Sequence, residues 1–171
     1  MTTTAEWLID AYERVGQIVH RVLEGVDEAT LAARVDPEAN SIAWLVWHLT
    51  RIQDDHLAHV AGREQVWTGG GWVGRFALPF DASATGYGQT SDEIGQVRGV
   101  PAEVLAGYYD DVQAASTAYL RELTDDELDR VVDERWNRSV TLGMRLVSVL
   151  ADDLRHAGQA AYVKGLIERK G

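Results

Sequence analysis

Four long segments of the chain repeat apolar residues at three- and four-residue spacing, and this pattern limits the fold more than any other feature. The segments cover residues 5–24, 41–61, 101–122 and 141–169, with polar connections between them. This spacing places the apolar side chains along one face of an α-helix. With 3 prolines in 171 residues, long helices are possible, and the pattern predicts one all-α domain over residues 1–171, a four-helix bundle.

Capping residues mark where several of these helices begin and end. Thr4 is the expected N-cap of the first helix, Asn40 or Ser41 of the second, and Thr141 of the fourth. Gly62 is expected to end the second helix, because glycine readily adopts the left-handed conformation that follows a helix.

The connections are predicted to hold only short elements. One helical turn is expected within 27–39, a capping-box pattern at 124–127 predicts a short helix, and 131–140 is expected to be partly extended.

The connection between the second and third helices, residues 62–100, is long and rich in glycine and aromatic residues. A connection of this length is uncommon in a compact domain and is often functional. We expect short helical turns near 74–76 and 91–96. The large aromatic residues of this connection either pack it down or line the mouth of a pocket: Trp67, Trp72, Phe76 and Tyr87.

Charge and composition exclude several functions. The net charge of −11 argues against nucleic acid and an anionic membrane surface as partners. No apolar run approaches the ~20 residues needed to cross a bilayer, and the N-terminus lacks the pattern of a signal peptide, so a cytoplasmic location is expected. The chain has no cysteine; any thiol chemistry therefore requires a small-molecule thiol.

The fourth segment contains a candidate metal-binding pair, Asp152 and His156. Residues four apart lie one above the other on the same helical face. His48 in the second segment falls in a buried register and is the best candidate for a third ligand. Two histidines and one carboxylate suit Zn²⁺, while Ni²⁺, Fe²⁺ or Mn²⁺ remain open. The alternative is an Asp–His hydrogen-bonded core pair without metal.

Other arrangements compete with this site. Asp55 and His59 are also four apart, and could form a rival site, orient the histidine that binds the metal, or be solvated near a helix end. A di-iron bundle would need inward carboxylates on the first and third helices, where none is found. The sequence contains no phosphate-binding loop, dinucleotide fingerprint or serine-nucleophile motif.

The motif Ser41-Ile-Ala-Trp-Leu-Val-Trp-His48-Leu-Thr-Arg51-Ile-Gln-Asp-Asp55-His56, together with Asp152-Asp-Leu-Arg-His156-Ala-Gly-Gln159, resembles the DinB-like superfamily of metal-binding four-helix bundles. Within that superfamily the chain is most similar to the branch of mycothiol-dependent maleylpyruvate isomerases and mycothiol transferases. The resemblance covers nearly the whole chain, including the long connection between helices two and three.

The resemblance implies a metal triad at particular positions. The superfamily's usual third histidine falls on Ala160, so that ligand is missing here. The maleylpyruvate isomerase branch instead places a glutamate four residues before the last-helix histidine, and this position is Asp152, one methylene shorter. The implied ligands are therefore His48, Asp152 and His156.

The resemblance also implies a function. A divalent metal would hold mycothiol as a thiolate for attack on a small electrophile, in a transferase or isomerase reaction. Arg51 or Arg155 could bind an anionic group of either substrate, and Trp72 could contact it; surface salt bridges are the alternative for both arginines. A non-catalytic metal-binding stress-response module and a metal-assisted hydrolase remain alternatives. Related bundles often form dimers, which leaves a homodimer open.

Overall fold

A computed structural model describes residues 2–135 and 139–169, and long helices dominate it. The four long helices are α1 (Thr4–Leu23), α3 (Ile42–Ala61), α7 (Ala102–Glu122) and α8 (Leu142–Glu168). The short ones are α2 (Glu28–Ala32), α4 (Val66–Gly69), α5 (Trp72–Phe76), α6 (Ser91–Ile94) and a 3₁₀ helix (Asp125–Asp129). The all-α prediction is confirmed, and the four long segments are the four helices of a bundle.

The long helices pack as a closed ring in the order α1, α7, α3, α8. Both α1 and α3 pack against α7 and α8, and the α3–α8 contact is the most extensive. Apolar side chains from all four helices fill the interior, with Tyr12, Val15, Leu49 and Leu146 fully buried. Burying such side chains is the main favourable contribution to folding. Because α3 and α8 lie side by side, residues on their facing surfaces can form one site.

Most helix boundaries lie where the capping residues predicted them. Ser41 and Thr141 accept hydrogen bonds from the backbone N–H groups three residues later, at the starts of α3 and α8. Gly62 adopts the left-handed conformation after α3. The prediction of Thr4 as a cap was wrong by one residue. The cap is Thr3, which forms a reciprocal capping box with Glu6.

The connections contain the expected short elements. Short helices occupy 72–76 and 91–94 within the long connection, and the 3₁₀ helix follows the capping box at Thr124. The extended segment appears as β1 (Val131–Asp133) pairing antiparallel with β2 (Val140–Thr141); residues 136–138 of this predicted segment lie outside the described residues. None of the helices in the described ranges is long and apolar enough to cross a membrane.

Candidate metal centre

The structure brings His48, Asp152 and His156 together at the contact between α3 and α8. One potential ligand atom from each lies within 4.8 Å of the others. Within residues 2–135 and 139–169, these three side chains form the one group of histidines and carboxylates that lie close enough together to share an ion. His48 is buried, while Asp152 and His156 are partly exposed, so the group opens to solvent on its α8 side.

Hydrogen bonds orient both imidazoles for metal binding. The Nδ1 atom of His48 lies 2.5 Å from the carbonyl oxygen of Thr85, and Nδ1 of His156 lies 2.7 Å from the side-chain oxygen of Gln159. Both partners are acceptors, so each Nδ1 carries the proton and donates it. The lone pair of each ring is therefore on Nε2, and this is how proteins commonly present a histidine to a metal.

Asp152 lies within reach of His156 despite its short side chain. Its Oδ1 is 3.7 Å from Nε2 of His156. Tetrahedral ligands at the usual zinc distances lie about 3.4 Å apart, so this pair needs little movement to share an ion. Arg155 also contacts Asp152, at 3.3 Å from Oδ1, but the Arg155 side chain is 62 % exposed. An exposed ion pair of this kind is weak and easily displaced.

The environment keeps His48 neutral. Burial lowers the pKa of the His48 imidazole, and the neighbouring His156 acts in the same direction, while the hydrogen bond to Thr85 opposes both. A neutral imidazole is the form that binds a metal. Trp44 stacks on the His48 ring at 4.5 Å between centroids, and its indole N–H donates to Gln89. The ring of His48 is thus held on its face and at Nδ1.

The loop at residues 84–86 covers His48 and depends on a glycine. Gly86 has a φ of +92°, and a Cβ at this position would lie 2.6 Å from Nδ1 of His48. Only glycine allows both this conformation and this close approach. Sequence reasoning missed Thr85, Gly86 and Gln159. The pair of glycines at 86 and 88 was the available signal, but spacing alone could not say which histidine the loop contacts.

Arg51 holds the same loop from the next turn of α3. It is completely buried, its Nε donates to the carbonyl oxygen of Ala84 at 3.0 Å, and its Nη1 donates to Gln65 and Tyr108. The carbonyl groups of residues 84 and 85 therefore accept from α3 side chains three residues apart. This placement gives Arg51 a positioning role; binding of a substrate by Arg51 or Arg155 stays a prediction.

Trp72 and its aromatic neighbours pack against α7. Trp72 is buried, donates to Asp111 and contacts the ring of Tyr108. Trp67 and Phe76 pack against the same tyrosine, whereas Tyr87 is 89 % exposed. These aromatic contacts hold the long connection between α3 and α7 against α7. Contact of Trp72 with a substrate stays a prediction.

The second histidine–carboxylate set on α3 is built differently. Asp55 accepts a hydrogen bond from Gln65, and His59 is exposed. His56 accepts at Nδ1 from Arg145, at 3.2 Å. Arg145 therefore occupies the lone pair of His56 at Nδ1, and the neutral ring carries its proton on Nε2, so neither nitrogen is free to bind a metal. On α8, Ala160, which lies four residues after His156, is completely buried.

Comparison with solved structures supports the fold class. The chain superposes on a conserved protein from Enterococcus faecalis with a TM-score of 0.90 and 24 % identity, covering 96 % of each chain. A DinB-like protein from Bacillus cereus ATCC 10987 matches with a TM-score of 0.66 and 15 % identity, covering 98 % of this chain and 95 % of the other. These similarities show the fold, which is that of the DinB-like helical bundles.

Sequence comparison gives the family. The family model described as mycothiol-S-transferase matches residues 8–169, and none of the curated proteins compared with the chain matches it significantly. The match includes α3, the long connection and α8, so it spans every residue of the candidate centre. The chain belongs to the mycothiol-S-transferase family.

Proposed function

We propose that the protein is a metal-dependent S-transferase that joins a low-molecular-weight thiol, mycothiol, to a small electrophile. The observation that carries the proposal is the donor set itself: two imidazoles with their Nε2 lone pairs unprotonated, and one carboxylate, grouped within 4.8 Å. Family membership supplies the thiol. The chain has no cysteine, so the nucleophilic sulfur must come from the cosubstrate.

The donor set fits a divalent cation of the zinc type. Three protein ligands that leave further coordination positions open are typical of catalytic rather than structural zinc sites. A cation bound there lowers the pKa of a coordinated thiol, and the thiolate is the nucleophile. Imidazole and carboxylate ligands also suit Ni²⁺, Fe²⁺ and Mn²⁺; zinc is the proposed metal.

The protein's own residues hold this arrangement. His48 is held by Trp44 and by the Thr85 carbonyl, and this fixes one ligand on the buried side. Asp152 supplies the negative charge and His156 the ligand on the open side, where a cosubstrate can approach. Aspartate instead of glutamate at position 152 places the carboxylate close to α8, so the site is expected to lie nearer α8 than in relatives with glutamate.

Metal content and thiol-dependent turnover test the proposal together. Protein purified without chelators is expected to hold about one metal ion per chain, whereas His156→Ala is expected to lose it. His56→Ala is the matched control, because His56 is a partly buried histidine at the same α3–α8 contact that binds arginine instead. Equal metal content in wild type and His156→Ala would contradict the proposed centre.

Turnover separates the transferase from its alternatives. The zinc-loaded protein is expected to accelerate conjugation of mycothiol to a fluorogenic electrophile such as monochlorobimane. Protein from which the metal has been removed by a chelator, and the His156→Ala variant, are expected not to accelerate it. Metal binding without thiol-dependent turnover across several metals and electrophiles would favour a binding module. Hydrolysis of an ester or amide probe without added thiol would favour a metal-assisted hydrolase.

A further inference from the structure

A pocket opens at the α3–α8 contact next to the candidate metal centre. It has a volume of about 180 Å³ and lies where residues 39–40 lead into α3. Its floor is apolar, formed by the buried side chains of Leu45 and Val163. Its rim is polar, formed by Asn40, Gln159 and Tyr162.

Gln159 belongs to both the pocket and the metal centre. Its side-chain oxygen accepts the hydrogen bond from Nδ1 of His156 at 2.7 Å, and the same residue lines the pocket. Val163 lies seven residues after His156 on α8, about 10 Å along the helix axis. A ligand in the pocket could therefore place one end at His156 while the rest lies along α8.

The rim offers hydrogen-bonding groups without charge. Because the oxygen of Gln159 is occupied by His156, its NH₂ group is on the opposite side of the carboxamide, and Gln159 is exposed. In the described parts of the chain, no hydrogen bond to this NH₂ or to the Asn40 carboxamide is found. Two side-chain amides are thus available to a ligand that offers hydroxyl or carbonyl groups.

Tyr162 adds an aromatic surface beside these amides. Its side chain is 66 % exposed. An apolar ring flanked by amides suits a polyhydroxylated ring, whose C–H face covers the aromatic and whose hydroxyls bind the amides. Lysine, arginine and carboxylate side chains are absent from the pocket lining, so a neutral ligand fits better than a charged one.

We propose that this pocket binds the neutral, hydroxyl-rich part of the thiol cosubstrate, and that Gln159 couples this binding to the orientation of His156. The inference rests on the proposed function. Mycothiol carries its cysteinyl thiol on a glucosamine–inositol unit, so its sulfur and its hydroxyls are at opposite ends. The hydroxyl-rich end occupies the pocket between Asn40 and Tyr162 while the sulfur reaches the open side of the metal centre.

Direct binding of N-acetylglucosaminyl-inositol, which lacks the thiol but keeps the uncharged amide of mycothiol, tests the pocket independently of the metal. Wild type is expected to bind it with millimolar affinity by calorimetry, with or without zinc. Tyr162→Ala and Asn40→Ala are each expected to weaken binding about tenfold. Trp7→Ala removes another aromatic side chain of similar exposure, 69 %, and is expected to bind as wild type does. Equal affinity of wild type, Tyr162→Ala and Asn40→Ala would overturn the inference.

Two substitutions of Gln159 test the coupling. Gln159→Glu keeps an oxygen for Nδ1 of His156 but removes the NH₂ donor, so it is expected to retain zinc and raise the KM for mycothiol about tenfold with little change in kcat. Gln159→Leu removes both groups, so it is expected to lose zinc affinity as well. Unchanged KM in Gln159→Glu would contradict the coupling.

The experiments distinguish this inference from the proposed function. Loss of N-acetylglucosaminyl-inositol binding in Tyr162→Ala would support the pocket even if the protein showed no turnover, and in that case only the proposed transferase activity would be wrong. Normal turnover with an unchanged KM in Tyr162→Ala and Asn40→Ala would leave the transferase intact and overturn the pocket.

Discussion

The contact between α3 and α8 holds two histidine–carboxylate groups that differ in where their positive charge comes from. The first, here called the open group, is His48, Asp152 and His156, which lie within reach of one another. The second, here called the closed group, is His56, Asp133 and Arg145. Arg145 donates from Nη1 to His56 at 3.2 Å and from Nη2 to Asp133 at 3.0 Å.

The difference shows why only one of the groups is a candidate metal centre. In the closed group the Arg145 guanidinium donates to both the imidazole lone pair and the buried carboxylate. Hydrogen bonds from Arg135, together with the charges of Arg135 and Arg145, hold the pKa of Asp133 well below its usual range. In the open group, Asp152 pairs only with the exposed Arg155 among the arginines and lysines of the described residues. We therefore expect the open group, and not the closed group, to bind a metal.

Placing an arginine in the open group should have the largest effect, a loss of zinc affinity. His156→Arg places a guanidinium beside Asp152, as Arg145 lies beside Asp133, and is expected to weaken zinc binding by more than about 100-fold. The measurement is zinc affinity by competition with a chelating dye. If His156→Arg bound zinc as wild type does, the comparison between the two groups would fail.

Disturbing the loop over the open group should have the next largest effect. Gly86→Ala is expected to destabilise the protein by about 2 kcal/mol, because φ is positive and the added Cβ would contact His48. Zinc affinity should fall with it as His48 is displaced. Gly74→Ala is the matched control, since nothing lies within 4 Å of its Cβ position. Denaturant unfolding measures the free energy of unfolding of both variants. Equal losses of stability in Gly86→Ala and Gly74→Ala would refute this role of Gly86.

Removing the built-in cation of the closed group should destabilise the fold without affecting zinc binding. Arg145→Met leaves Asp133 and His56 without their shared donor and is expected to lower Tm by about 4 °C. Arg155→Met, which changes an exposed arginine of the open group, is expected to lower Tm by less than about 1 °C. Thermal unfolding of zinc-free protein measures both, and a larger loss in Arg155→Met would reverse the comparison.

The smallest expected effect is a pH dependence of the closed group. Burial and the neighbouring Arg145 lower the pKa of His56 below its ordinary value of 6.5. As pH falls below 6.5, the unfolded chain binds a proton at His56 before the native protein does, so stability decreases. His56→Gln lacks this proton, and its Tm is expected to fall by about 1 °C less than that of wild type between pH 7.5 and 5.5. An identical pH dependence in both proteins would show that Arg145 does not hold His56 neutral.

Sequence patterns predicted the helices and the pairing of Asp152 with His156, because both depend on regular geometry, whereas the grouping with His48 was implied by the family resemblance. Ser41, Gly62 and Thr141 mark helix ends through local hydrogen bonding. The four-residue spacing of Asp152 and His156 fixes a shared face of one helix. These signals are local, so they are visible without knowledge of the tertiary structure.

The parts that the sequence could not give depend on the path of the long connection. Thr85 and Gly86 meet His48 across 37 residues of chain, and no local pattern specifies that contact. The same is true of Arg145, whose partners His56 and Asp133 lie on a different helix and on a short strand. The contacts of Arg51 could not be predicted locally either. Its spacing from His48 suggested that it binds substrate, whereas its hydrogen bonds are to Ala84, Gln65 and Tyr108.

The consecutive carbonyl groups of Ala84 and Thr85, bound by Arg51 and His48, connect the metal centre to the local unfolding of the long connection. Opening of this loop breaks the hydrogen bond that orients His48, so a cation that binds only the oriented imidazole stabilises the closed loop by mass action. Zinc should therefore slow amide hydrogen exchange in residues 84–89 more than in the 3₁₀ helix at Asp125–Asp129. The loop thus reports occupancy of the centre through its own exchange rate.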